Sequence, residues 1–207
     1  MKKNSEKYQR ILDAACKVFA QMGFHQSTIS MIAKEAGVAD GTIYLYFKNK
    51  NDILVQFHEH KTRQVFDRFR EAVAKADTAV EKLRNLIYTH LDEFQKDPNM
   101  AMVYQAEVYK QRPHTKASVK EMSTMYREII SEVIDRGQEE GSMRRDLYIG
   151  LVKRLVNGAV DEVINSWIHQ GRSYDLVSMA EPLVELFIHG IGSDKLKVGM
   201  PANSESV

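Results

Sequence analysis

Residues Ile29 to Lys48 read ISMIAKEAGVADGTIYLYFK, and few arrangements accommodate that order of small, apolar and glycine positions. Ile29 to Ala36 has helical spacing. Gly37 then supplies a left-handed turn that costs little without a Cβ. A second short helix is expected from about Asp40 to Phe47. Ala33 is small where two helices must cross closely, and Ile32, Ala36, Val38, Ile43 and Tyr46 fall on the inner face of such a pair. This is the pattern of a helix-turn-helix, which can lay its second helix in a DNA major groove. The competing reading is an ordinary helical hairpin inside an α-helical core.

Apolar residues recur at helical spacing along the rest of the chain, without a convincing alternating strand. Helices are expected over about Ser5–Met22, from Asn51 or Asp52 to Ala76, and over Ala79–Gln95, Met100–Lys110 and Thr115–Glu140. Two more are expected over Leu147–His169, capped by Asp146, and Asp175–Ile191. Pro182 inside the last implies a kink or a late start. The sum is an all-α, nine-helix chain. Residues 1–50 form a helix-turn-helix head. Residues 51–192 form a ligand-binding and dimerisation body, with the fourth helix as connector. Residues 193–207, small and polar, read as a disordered tail.

Charge separates the two parts. Residues 1–50 carry a net +4, although the whole chain is only +1. A basic head on a mildly acidic body suits phosphate binding. No apolar run approaches the length of a membrane span, and the polar start MKKNSEKYQR has no apolar signal segment, so a cytoplasmic location is the expectation. The single cysteine, Cys16, reads as packing on the first helix. His58 and His60 lie two apart on a helix and point in different directions, so they do not share a metal ion. No nucleophile elbow, phosphate-cradling glycine loop or zinc-spaced ligand set is present. Neither enzyme chemistry nor a cofactor is implied.

The block ILDAACKVFAQMGFHQSTISMIAKEAGVADGTIYLYFKNKNDIL strongly resembles the DNA-binding domain of TetR-type transcriptional regulators. Its features are paired alanines on the first helix, a glycine-aromatic turn, IAKEAGV, GTIYLYF, and a lysine before an acidic helix start. The resemblance implies a nine-helix TetR-like fold and a homodimeric repressor released from an operator by a small ligand. It implies DNA contacts at Thr28, Gly41, Thr42, Tyr44, Tyr46 and Lys50. Hydroxyl and ammonium groups suit phosphate, and an aromatic edge suits a thymine methyl. Tyr46 also fits the buried face, and Lys50 also fits a solvated surface. Ala39 stands where the family's capping serine is expected. GAVDEVINSWIHQGRSYDL resembles the penultimate helix and turn of the fatty-acid-degradation repressors within this family, which implies a long-chain acyl-CoA effector.

In the body, Met100, Met102, Met122, Met125 and Met143 accompany Tyr88, Tyr104, Tyr109, Tyr126 and Trp167. Methionine lines adaptable apolar pockets, but it also fills ordinary cores. Tyr104, Tyr126 and Trp167 are candidate ligand contacts, with His90, Glu107 and Asn157 as polar candidates. His90, on an apolar face, reads first as a hydrogen-bonded core residue. Lys110, Arg112, Lys116 and Arg127 could meet the phosphates of an acyl-CoA at a pocket mouth. Leu151, Leu155, Ile164, Leu183, Leu186 and Phe187 give the last two helices wide apolar faces. Pairing with a second copy would bury them in a four-helix bundle, and two-fold symmetry would set a near-palindromic operator. The main rival within regulators is a multidrug or aromatic-ligand sensor. Outside them, it is a helical interaction module without DNA contact.

Overall fold

The computed structural model describes residues 6–110 and 116–191, with only the backbone described at residues 108–110, 116, 118, 119 and 191. Among the described residues the regular structure is helical and there is no extended strand. The head comprises α1 (Glu6–Gln26), α2 (Ile29–Glu35) and α3 (Asp40–Ile43). The body comprises α4 (Lys50–Ala74), α5 (Ala79–Lys96), α6 (Pro98–Lys110), α7 (Lys116–Glu140), α8 (Ile149–His169) and α9 (Ala180–Ile191). The nine expected helices are all present in order.

Local chemistry sets the ends. The Thr28 hydroxyl accepts from the Met31 amide at 3.2 Å and so opens α2. Gly37 closes it at φ 63°, in the left-handed region where a side chain is costly. Ala39 opens α3 without a side-chain cap, and regular α-helix lasts only four residues before turns carry the chain to Phe47. Asn49 caps α4, accepting from the Asp52 amide at 2.9 Å. Thr78 and Glu81 form a reciprocal capping box on α5.

One boundary differs from expectation, and another settles the alternatives set by Pro182 as a late start. Asp146 does not cap α8. Its carboxylate is paired with Arg144 at 2.7 Å, and the helix begins later, after Tyr148. The last helix also starts late. A 3-10 turn spans Leu176–Met179, and α9 begins at Ala180. Pro182 thus sits in the first turn, where its missing N–H would have had no helical partner.

One hydrophobic core runs from head to body. Within the head, Ile11, Leu12 and Ala15 of α1 meet Ile32, Ala33 and Ala36 of α2 and the following turn, with Ile43 and Phe47 fully buried beside them. The body packs α4 on α5, α5 on α7, α7 on α8 and α5 on α9. The head is not attached through α4 alone, because α1 also packs along α6.

Candidate nucleic-acid interface and effector cavity

Ile43 and Phe47 hold the short third helix from behind. Tyr44 and Leu45 point away from that anchor and are 59% and 62% exposed. Gly41 is exposed and Thr42 is half-buried. A Cβ at Gly41 would meet nothing within 4 Å, so folding places no demand on glycine there. Thr28 is exposed at the start of α2. Tyr46 is half-buried, its ring 6.5 Å from that of Tyr8 and 6.4 Å from that of Phe47, so it serves the core as well as the surface.

Lys50 departs from the sequence expectation. Its ammonium donates to the carbonyl oxygens of Phe24 (2.6 Å), His25 (3.2 Å) and Ser27 (2.7 Å). It also lies 4.5 Å above the Phe24 ring. Three donors therefore meet three acceptors inside the head, at the turn where Gly23 breaks α1. The side chain fastens the start of α4 to the turn before α2.

The body encloses a narrow cavity. α4 supplies Phe57, His58, Lys61, Thr62 and Val65, α5 supplies Phe94, α6 supplies Met100 and Tyr104, and α7 supplies Met122. The space is too narrow for a hydrocarbon chain, so a chain-like ligand requires its walls to part. Burial lowers the His58 pKa to about 4 and raises that of Tyr104. Lys61 reaches outward from the wall. Its ammonium lies 3.6 Å from Asp13 of α1 and 3.3 Å from Asp97 before α6. One cavity residue thus bridges head and body.

Of the expected ligand residues whose side chains are described, Tyr104 lines this cavity and the others do not. His90 lies behind Phe94, among the rings of Phe69, Phe94 and Tyr126. Among the described residues neither of its ring nitrogens nor the Tyr126 hydroxyl has a partner, so His90 is a core residue, as expected, but without the expected hydrogen bond. Burial takes the His90 pKa down to about 3 and raises that of Tyr126. Glu107 is buried on α6. Arg127 turns to Ser123 and Thr124 of its own helix. Asn157 donates to Asp161 at 2.6 Å. Asp161 has its pKa raised to about 7 by burial, against the opposing effect of the Asn157 hydrogen bond. Trp167 is buried and donates to the Tyr174 carbonyl at 2.8 Å, which ties the end of α8 to the following turn. Only the backbones of Lys110 and Lys116 are described, and Arg112 lies outside the described residues. Sequence reasoning missed the α4 contribution, which looked like the stripe of a connector. Besides Tyr104, only Met100 and Met122 were signalled, by the methionine excess.

The last two helices divide their apolar residues. Leu151, Leu155 and Leu186 are exposed, at 50%, 56% and 72%, and Phe187 is half-buried. Ile164 and Leu183 are instead buried within the protomer. They belong to its own core, where α8 and α9 lie against α5, and not to an outward face.

A head that presents a short anchored helix, joined to a body holding an apolar cavity, defines a ligand-responsive helix-turn-helix regulator. The chain belongs to the tetR family of bacterial regulatory proteins. Residues 11–57 match that family's profile, and residues 57–190 match that of the YsiA-like protein C-terminal region. It is 38% identical over 191 residues to the fatty acid metabolism regulator protein of Bacillus subtilis, covering 92% of this chain and 98% of that one. The structure is similar to that of the fatty acid degradation regulator FadR from Bacillus halodurans. The TM-score is 0.86 at 34% identity, covering 91% and 97% of the two chains. It is also similar to FadR from Bacillus subtilis in complex with stearoyl-CoA, with a TM-score of 0.83 at 38% identity, covering 89% and 99%. The chain is a transcriptional regulator.

Proposed function

We propose that this protein is a cytoplasmic homodimeric repressor of fatty-acid metabolism genes, bound to a near-palindromic operator and released by a long-chain acyl-CoA. Thr28, Gly41, Thr42, Tyr44 and Tyr46 meet the duplex. Lys50 positions the turn that carries Thr28. Leu151, Leu155, Leu186 and Phe187 meet their counterparts in a second copy, and the two heads then face successive major grooves about 34 Å apart. The effector class is supported by the identity to a fatty acid metabolism regulator and by the likeness to a regulator solved with stearoyl-CoA.

The observation that carries the mechanism is the position of Lys61. It is part of the cavity wall and is paired with Asp13 of the head and Asp97 of the body. An acyl chain entering the cavity pushes α4 away from α5, α6 and α7. The movement is passed to the head through Lys61, through Lys50, and through α6 against α1. A packed core responds by switching between arrangements and not by flexing smoothly. Ligand and operator therefore favour different head spacings, and each weakens the other.

The test is fluorescence anisotropy of a labelled operator fragment, selected from genomic DNA by the pure protein. Stearoyl-CoA should release the fragment and stearate should not. A protein that selects no sequence from genomic DNA is not an operator-binding regulator.

A further inference from the structure

The cavity wall is apolar at Val65, Phe94 and Met100 but carries His58 and Thr62 one turn apart on α4. Thr62 also lines an open groove between α4 and α7, beside Glu59, Arg63, Glu121 and Met125. The Thr62 hydroxyl lies 3.5 Å from the sulfur of Met122, another residue of the cavity wall. The His58 ring is buried, and among the described residues its Nε2 has no hydrogen-bond partner. Buried polar atoms are nearly always satisfied, so an orphaned nitrogen on a cavity wall marks a place for a ligand atom.

The electrostatics select the kind of atom. Burial keeps His58 uncharged at neutral pH, with a pKa of about 4, so it offers one donor and no charge. Lys61, the cation on the same wall, already faces two carboxylates, Asp13 and Asp97. The groove outside holds one arginine against Glu59 and Glu121. Among the described residues carboxylates outnumber cations around this wall, whereas a neutral oxygen can accept from the imidazole N–H of the tautomer that carries its proton on Nε2.

We propose that His58 Nε2 donates a hydrogen bond to the carbonyl oxygen of a long-chain acyl thioester, so that this residue separates thioesters from free fatty acids. The inference rests on the acyl-CoA reading above and adds the residue that reads the ligand's reacting group. The chain runs inward past Val65 and Phe94.

Isothermal titration calorimetry of the full-length protein tests it with three probes. These are stearoyl-CoA, the thioether S-octadecyl-CoA in which a methylene replaces the carbonyl, and stearate. The natural sequence should bind the thioester about tenfold more tightly than the thioether, the worth of one buried hydrogen bond, and bind stearate more weakly than either. His58→Phe should bind both CoA ligands with one affinity, and His58→Gln should recover part of the preference. Equal affinity of the natural sequence for thioester and thioether overturns the assignment, and that comparison does not depend on any variant folding. A preference that persists in His58→Phe overturns it as well. If the natural sequence binds neither CoA ligand, the effector reading itself fails. Tight binding of both without preference removes His58 alone.

Discussion

The Lys50 ammonium lies 2.7 Å from the Ser27 carbonyl oxygen, so the first turn of the long connecting helix is fastened to the turn that opens α2. A lysine at this position could instead contact a DNA phosphate, and salt dependence separates the roles. Lys50→Met should lower stability by roughly 2 kcal/mol, since a half-buried charged donor leaves three carbonyls behind. Operator affinity should fall while the slope of log Kobs against log salt stays unchanged. A slope reduced by about one would instead assign Lys50 to a phosphate.

Gly41 offers the reverse separation. A Cβ there meets nothing within 4 Å and replaces the least helix-favouring residue short of proline. Gly41→Ala should leave stability unchanged or raise it by roughly 0.5 kcal/mol. Operator affinity should fall about tenfold, the cost of one lost close approach of about 1.4 kcal/mol. Thermal unfolding and anisotropy on the same preparation check both halves.

The outward leucines and the buried isoleucine of α8 should behave oppositely. Leu155→Glu should change protomer stability by no more than about 0.5 kcal/mol and yield a monomer by sedimentation equilibrium. Ile164→Ala should cost roughly 2–5 kcal/mol through the cavity it leaves and retain the dimer where it folds. A dimer in Leu155→Glu would mean that this face is not the interface.

Buried histidines set the acid response. The folded-state pKa of His90, about 3, lies below its ordinary 6.5, and those of His58 and His60 are lowered as well. The unfolded chain therefore binds more protons in this range, and stability is lost as pH falls below about 6.5. Asp161 acts in the opposite sense. Its folded-state pKa is raised from 3.8 to about 7, so its contribution is lost as pH rises through that window. Urea unfolding from about pH 4.5 to about pH 6.5 should show stability rising with pH. His90→Phe should flatten that rise by about one proton, or about 1.4 kcal/mol per pH unit, and Asp161→Asn should steepen it by a similar amount.

The head was legible because its constraints are local. Gly37 must turn left-handed, Ala33 must be small and Ile43 must face inward, each within a span of twenty residues, although the sequence marked Tyr46 for the inner face and not its fully buried neighbour Phe47. The cavity was less legible because its wall is assembled from four helices. His58 and Lys61 read as one polar and one charged residue on a connector, and nothing near them in the chain signals that Asp13, Asp97 and Phe94 arrive beside them. The apolar faces of α8 and α9 raised a related difficulty. Leu155 and Ile164 are nine residues apart and lie on opposite faces of α8, so the two belong to separate apolar rows, of which Val152, Val156, Val160 and Ile164 form the buried one.

The coupling between cavity and operator is tested most directly by one titration. Dimeric protein is saturated with a selected operator fragment at fixed salt, stearoyl-CoA is added, and anisotropy is followed while calorimetry records ligand binding on the same sample. The expected result is loss of the bound fragment in step with ligand occupancy, with operator in turn weakening the ligand by the same factor. Ligand occupancy that leaves operator affinity unchanged would contradict the coupling.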